Sequence, residues 1–479
     1  MPTNLKKEEA LVELMDQLGL SLEDFGGKHN WTGGDPYIYS KHHIGDATSV
    51  LLSLFGMEIA AIWKARTGET EDVTVKVENT IPELGAIFYH AQNGYPVGYE
   101  DQGEIQTTDY FKCKDGRWVY IVCSVPQLRQ KACAVLNCQA TQTAFRENCM
   151  KWNALDLEEA MNEVGAACLM ARTREEWFKT EQSKVVESMD LIQIDKIADS
   201  SPKKFSSDPH KPLSGLKVID NTHIYAGPYG ARCLADAGAE VLRLLSPTAT
   251  NPVPMEMDTI PGKRSAWCDF KVPAHLEAFF ELVKEADVFI NSYLHVDQFG
   301  ITPQRLAQIN PHIIQVDLTA FGTEGPWASR GGFEQHGQTV TGFGVNEGSL
   351  DAPAQPPTYL LNDTMTGLEA AIGTLECIRR RAKNGGSYYV RATLSRNCSW
   401  LQQFGLFEIS DLEGLPKSIV NAPGLEATLS EEFMKPVVKV EGPLGEMQVL
   451  PIQVEFSSLK IQPEWSGDPN GASKLVWKS

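Results

Sequence analysis

The chain has 479 residues, enough for two or three domains with a substantial buried core. An apolar share of 42% and a charged share of 22% are those of an ordinary globular protein, while a formal charge of −19 excludes general binding to nucleic acid or anionic membranes, which needs broad positive surface. No run approaches the roughly 18 apolar residues of a membrane helix, and the N-terminal stretch MPTNLKKEEALVELMDQLGL reads as an amphipathic helix without a signal-peptide core, so the cytoplasm is the expected compartment.

Taken in order, residues 1–35 predict one helix and then a Gly-rich loop from Phe25 to Asp35. Asp46–Trp63 is a long helical stretch, broken at Gly68 and followed by an alternating strand, Val73–Val77. Residues 107–123 read as a hairpin, with Asp115-Gly116 as the two-residue turn between Tyr110–Cys113 and Trp118–Cys123. The stretch 126–200 is read as mostly helical, with Arg172–Glu187 charged and amphipathic. A polar linker rich in Ser, Lys and Pro, Asp199–Pro212, then marks the domain boundary. The expected division is 1–35, 36–200, a linker at 201–212, a core at 213–400 and an extension at 401–479.

The organising stretch is LSGLKVIDNTHIYAGPYGARCLADAGAEVLRLL. Leu216–Asp220 and Glu240–Leu245 read as buried parallel strands, joined by a helix that opens at Ala226-Gly227-Pro228 and stops at Gly238. The start of such a helix favours an anionic ligand, although the GxGxxG signature is absent. Alternation continues with a helix near 273–285, a strand at Asp287–Asn291, a helix at 303–309 and a strand at Ile313–Leu318. The expectation is an α/β fold: a Rossmann-like parallel sheet domain, with a smaller α+β domain built on the hairpin. Residues 320–362 read as a long Gly- and Pro-rich loop closed by Asp363, where a helix begins. Residues 46–79 lie on 363–396 without a gap, matching Asp46/Asp363, Leu51/Leu368, Gly56/Gly373, Ala65/Ala382, Gly68/Gly385 and Val73/Val390, which predicts a partial internal duplication. The tail after about 405 predicts short strands, for instance Met447–Phe456.

On the segments LSGLKVID, AGPYGARCLADAGAEVLRL, GKRSAWCDF, EADVFINSY, NPHIIQVDLTAFGTEGP, GGFEQHGQTVTGF and NDTMTGLEAAIGTL, the chain resembles the class III CoA-transferases. That group includes the carnitine-dehydratase and bile-acid-inducible proteins and the α-methylacyl-CoA racemases. The upstream segments GDATSVLLSLFGMEIAAIWKARTGE and DYFKCKDGRWVYIVC look like the family's later parts, in a tandem arrangement. Family members are typically interlocked dimers, and the resemblance implies a homodimer here, interlocked or not, with coenzyme A and a small carboxylic acid or acyl-CoA as substrates. It also implies that an Asp at the start of the post-loop helix attacks the thioester and then carries CoA as an aspartyl thioester.

The matching position is Asp363, for which helix capping is the competing reading. Asp46 is its repeat partner. Glu334 and Gln338 would place the acyl group, and Phe333 stands where the racemases carry a proton-moving His. His336 reads as a surface loop histidine. His223, Tyr225 and Ala226, beside the first strand's carboxyl end, would face the ligand crevice. Lys263, Arg264, Ser292, Tyr293 and Arg330 complete the expected CoA contacts, although Leu245-Ser246, Ser292–His295 and Gln298 lack the family's usual basic residues. That shortage keeps open a repurposed fold that binds a different small molecule without CoA, and an isomerase, racemase or lyase of the same fold stays beside transfer. No metal is expected: His42-His43 beside Asp46 are chain neighbours, which seldom share an ion.

Overall fold

The computed structural model describes residues 4–97, 106–206, 209–248, 251–420 and 429–478. Its centre is a seven-stranded sheet of β1 (Gln193–Ala198), β2 (Lys217–Asn221), β3 (Glu240–Leu245), β4 (Lys263–Trp267), β5 (Val288–Asn291), β6 (Ile314–Thr319) and β7 (Ser387–Thr393). The spatial order is β4-β3-β2-β5-β6-β7-β1, parallel except for β1, which runs antiparallel to β7 at the edge. The central strands β2, β3, β5 and β6 are mainly buried because helices cover both faces. Val218, Val241 and Val288 stand side by side in the ladder and join one core; Ile219, Leu242 and Phe289, one residue on, join the other. The second core is closed by Phe279, Leu282 and Val283 of the helix Pro273–Glu285. The predicted βαβ unit, the strands after it and the mixed α/β class are all observed.

Three helices fill the first face: α1 (Ile44–Thr67), α4 (Ala226–Asp236) and α6 (Leu361–Asn384). By length and composition α1 could cross a membrane, yet 94% of its most apolar window is buried inside the protein. It crosses α6, where Arg379 Nε meets Glu58 Oε2 at 2.7 Å. The contact of α4 with α6 is closer. A Cβ on Gly230 would lie 2.7 Å from the Gly367 carbonyl oxygen, and one on Gly367 would lie 2.5 Å from that of Ala226. This pair of glycines lets the start of α4 press against the second turn of α6.

The hairpin forms as predicted, Asp109–Lys112 with Trp118–Val122, and Gly116 takes a φ of 80° at its turn. Its third strand, Ala167–Met170, lies inside the stretch read as helical. With α2 (Pro126–Leu136) and α3 (Ala154–Glu163) it encloses a separate core of Phe111, Ile121, Phe145 and Met161.

Several boundaries differ from expectation. The 25–35 loop contains a strand, His29–Thr32, parallel to Val73–Lys76. Arg172–Glu187 is two short helices, because Thr173 and Thr180 each cap a new start. The polar segment 199–212 does not divide two cores: β1, just before it, belongs to the same sheet as β2 to β7 after it. The long 320–362 loop folds into α5 (Glu334–Val340) and a turn of helix at Phe343–Glu347. The tail is no detached extension either, since Glu455–Phe456 pairs with Val73–Thr74.

Candidate active site

At the carboxyl ends of β2, β5 and β6, where the strand order reverses around β2, lies a cavity of about 790 Å³. Its floor is the start of α4 (Ala226, Gly227), the start of α6 (Asp363, Thr366) and Leu394, which opens α7 (Leu394–Leu401). The opposite wall belongs to the hairpin domain, through Leu128 and Lys131 of α2, Glu159 and Asn162 of α3, and Ala167.

Asp363 is the third residue of α6. The residue at the cap position is Leu360, which offers no side chain, so the capping reading of Asp363 is set aside. Asp363 is 6% exposed and borders the cavity. Burial pushes its carboxyl up to about 7. Its main-chain N–H donates to Glu334 Oε2 at 2.7 Å. Among the described residues none donates a hydrogen bond to its carboxylate. Glu334 lies buried behind it and accepts from Gln338 Nε2 at 2.8 Å. Burial and then the charge of Asp363 hold the Glu334 carboxyl well above the usual range. Neither Glu334 nor Gln338 borders the cavity, so both support Asp363 from behind instead of touching a ligand.

Phe333 does border the cavity, packed on Tyr120, Val122 and Ala167. His336 is not the surface histidine of the sequence reading. It is wholly buried in α5, edge-on to Tyr120, with its imidazole pushed down to about 4 by burial. The surrounding 320–362 segment read as an open loop because its helix is a single short run between glycines.

His223, Ser292 and Tyr293 come together as expected. Ser292 Oγ sits 3.0 Å from His223 Nδ1 and accepts the His223 main-chain N–H at 3.1 Å, and the Tyr293 ring stacks on the imidazole at 4.3 Å. Burial pushes His223 down to about 4, leaving it neutral near pH 7. Tyr225 borders the cavity from below, but its hydroxyl is committed to Asp258 and its ring to Tyr229. Ile224 takes φ 65°, a rare conformation for a β-branched residue, and no sequence signal marked it.

The basic residues are corrected. Lys263 faces the sheet interior, donating to Asp220 Oδ2 at 2.8 Å and to the Pro228 carbonyl at 2.6 Å, both side chains fully buried. Arg264 binds Glu240 Oε1 at 2.8 Å and the Val476 carbonyl at 2.9 Å, away from the cavity. Both stand on β4, at the far edge from β6, which the alternation pattern did not reveal. Arg330 does reach the cavity, held by Glu159 at 2.8 and 2.9 Å and stacked on Trp327. The hairpin-domain wall was missed altogether, since nothing local in 125–167 shows that it closes over a sheet built from 193 onward.

Asp46, the repeat partner, does not border the cavity. It is the third residue of α1, and its N–H donates to Asp35 Oδ2 at 2.8 Å. Lys7 Nζ reaches Asp46 Oδ1 at 3.2 Å and the Gly33 carbonyl at 3.0 Å. Asp35, His43 and Asp46 hold ligand-type atoms within 4.8 Å of one another, while His42 turns away to Glu347 at 2.9 Å.

The sequence matches the family profile described as CoA-transferase family III over residues 17–201 and 213–421. It is 27% identical over 320 residues to an acetyl-coenzyme A transferase of Hypoxylon pulicicidum, covering 61% of this chain and 54% of that protein. It is 26% identical over 370 residues to an acyl-CoA transferase of Gibberella moniliformis, covering 69% of this chain and 64% of that one. The chain thus spans somewhat over half the length of these relatives. Among solved structures, a CAIB/BAIF family protein from Brucella suis aligns at 25% identity with a TM-score of 0.37, over 49% of this chain and 65% of that one.

Proposed function

The chain belongs to CoA-transferase family III, and from that premise we propose that it moves coenzyme A from an acyl-CoA to a free carboxylic acid, with Asp363 as nucleophile. One observation carries the reading: Asp363 is a buried carboxylate on the cavity floor whose oxygens accept no hydrogen bond from the described residues.

In this reading an Asp363 oxygen bonds to the thioester carbon, the C–S bond breaks, and the CoA thiolate leaves. The thiolate then attacks the aspartyl carbonyl of the mixed anhydride, releasing the first acid and leaving CoA on Asp363. The acceptor carboxylate repeats the cycle in reverse. Glu334 acts through Asp363: a carboxyl kept near neutral pKa is a more basic nucleophile than an ordinary aspartate. The first N–H groups of α4, at Ala226 and Gly227, have no intrahelical acceptor and support the tetrahedral oxyanion. His223, neutral and pinned to Ser292, shapes the wall and carries no charge. A homodimer in the cytoplasm belongs to the same reading. So does a duplication: α1 and α6 run over 44–67 and 361–384, each followed by a strand against its own central glycine.

The test is to incubate the protein with an acyl-CoA, trap with hydroxylamine and find the hydroxamate by peptide mass spectrometry. Modification at Asp363, absent without the thioester, is the expected result; modification elsewhere overturns the assignment. One observation favours the repurposed reading. Among the described residues the cations bordering the cavity are Lys131 and Arg330, few for a ligand as anionic as CoA. Titration calorimetry with CoA decides between them, and no heat at millimolar CoA removes the transfer reading.

A further inference from the structure

We infer that the acyl group held beside Asp363 is apolar and monocarboxylic, carrying no second charge; this rests on the transfer reading above and names its substrate class. Charge is unevenly placed around the floor. Asp363 shares the cavity border with the apolar Ala226, Leu318, Ala320, Phe333 and Leu394 and with Thr319 and Thr366, none of them charged. Their proximity is fixed by contacts. Ala226 is pressed onto α6 at Gly367, the Ser395 N–H donates to the Ala320 carbonyl, and Phe333 precedes the glutamate that holds the Asp363 N–H. A Cβ on Gly337 would touch both Asn362 and Leu394, which brings Leu394 against the first turn of α6.

The two bordering cations are on the hairpin-domain side, and both have partners there. Arg330 is held by Glu158 and Glu159 of α3, and Lys131 of α2 donates to the Gly165 carbonyl at 3.2 Å. The carboxylates bordering the cavity are Glu159, Glu163 and Asp363, with Glu334 directly behind the last. A succinyl- or malonyl-type group would therefore bring its second carboxylate in beside two buried carboxyl groups, among uncharged residues and with neither carboxyl paired to a cation among the described residues. Burying an unpaired carboxylate is strongly unfavourable. A hydrocarbon chain meets the opposite reception from Leu318, Phe333 and Leu394, since each methylene leaves water for an apolar wall.

The experiment compares hexanoyl-CoA and butyryl-CoA with succinyl-CoA and malonyl-CoA as donors to the full chain, scoring CoA loaded on Asp363 by intact mass and transfer by kcat/KM. Hexanoyl-CoA or butyryl-CoA is expected to exceed both dicarboxylic donors by about 100-fold or more. Succinyl- or malonyl-CoA within tenfold of the better monocarboxylic donor overturns the inference. If no donor loads Asp363, the transfer reading fails, and saturation-transfer NMR on the same thioesters then decides this inference separately. Stronger saturation of hexanoyl than of succinyl protons sustains it, and equal or absent saturation of both overturns it.

Discussion

Asp46 and Asp363 are each the third residue of a 24-residue helix, and each donates its main-chain N–H to a second carboxylate, Asp35 at 2.8 Å or Glu334 at 2.7 Å. Beyond that the two places diverge. Asp46 is met by the Lys7 ammonium and by His43, and although burial works to raise its carboxyl, these partners hold it below the ordinary value. Among the described residues no cation pairs with Asp363, and burial pushes it up to about 7. Asp46 is paired with Lys7 and His43 and does not border the cavity; Asp363 and Glu334 are buried carboxyls held towards their protonated forms, and Asp363 borders the cavity. The local backbone device is the same, so what separates Asp46 from the proposed nucleophile Asp363 is the neighbouring charge.

The largest effect that can break this comparison is catalytic. Asp363→Ala should lower CoA transfer by at least about 1,000-fold while leaving the far-ultraviolet circular dichroism unchanged. Asp46→Ala should alter the rate by less than about threefold. Inverted results in the two rate assays would make the N-terminal copy the working one.

The next effect is thermodynamic. Because the Asp363 carboxyl is raised from 3.8 to about 7, the folded protein holds that proton more tightly than the unfolded chain. Its contribution to stability is complete below about pH 4 and is lost as the pH rises through about 7. Asp363→Asn removes the ionisation, so the variant should be more stable than the parent by about 2 kcal/mol at pH 8 and no more stable at pH 4. Urea titrations at the two pH values measure this, and an equal gain at both would mean that packing, not charge, is responsible.

Much of this architecture was legible in the sequence, and the pattern of successes is physical. β2, β3, β5, β6 and the helices between them carry periodicity and end signals within ten or so residues, and the observed elements start and stop within a residue or two of expectation. What failed depended on partners far along the chain. His29–Thr32 is a strand only because Val73–Lys76 lies beside it, and Ala167–Met170 only because the hairpin does. At the candidate site, Asp363, His223, Ser292 and Arg330, singled out in the sequence largely through the resemblance, all border the cavity. Lys263 and Arg264 were misplaced because a cation's role is set by the nearest anion, and Asp220 and Glu240 claim them. The asymmetry between the two aspartates was invisible for the same reason, since Lys7 is 39 residues from Asp46.

A smaller test addresses how alike the two helix–strand units are. A Cβ on Gly56 would lie 2.6 Å from Val73 Cγ1, and one on Gly373 would lie 2.5 Å from Val390 Cγ1. Each also meets a second apolar side chain at 2.8 Å, Val454 or Ile192. Alanine gains about 1 kcal/mol of helix propensity at either site but must displace both neighbours, at about 1–3 kcal/mol. Gly56→Ala and Gly373→Ala should therefore each be destabilising on balance, by about 1 kcal/mol and to a similar degree. A stable Gly373→Ala beside an unstable Gly56→Ala in thermal melts would show that the units only look alike.

The smallest expected effect bears most directly on what keeps Asp46 quiet. Lys7 bridges Asp46 and the Gly33 carbonyl, with its side chain 13% exposed and that of Asp46 20% exposed. Lys7→Met keeps the apolar stem and removes the charge, so the loss should be at most about 1 kcal/mol, as for other partly solvated pairs. The pH dependence carries the information. Asp46, held below 3.8 in the folded parent, contributes stability that is complete above that value and is lost as the pH falls through the lower folded value. Without Lys7 that depression weakens, so the gap between variant and parent should close on going from pH 7 towards pH 3. At each pH the transfer activity of the variant should match the parent's, because Asp46 does not border the candidate cavity. Should Lys7→Met instead create a second hydroxylamine-trappable aspartate at Asp46, the ammonium would be what silences a competent second site, and charge alone would separate the two copies.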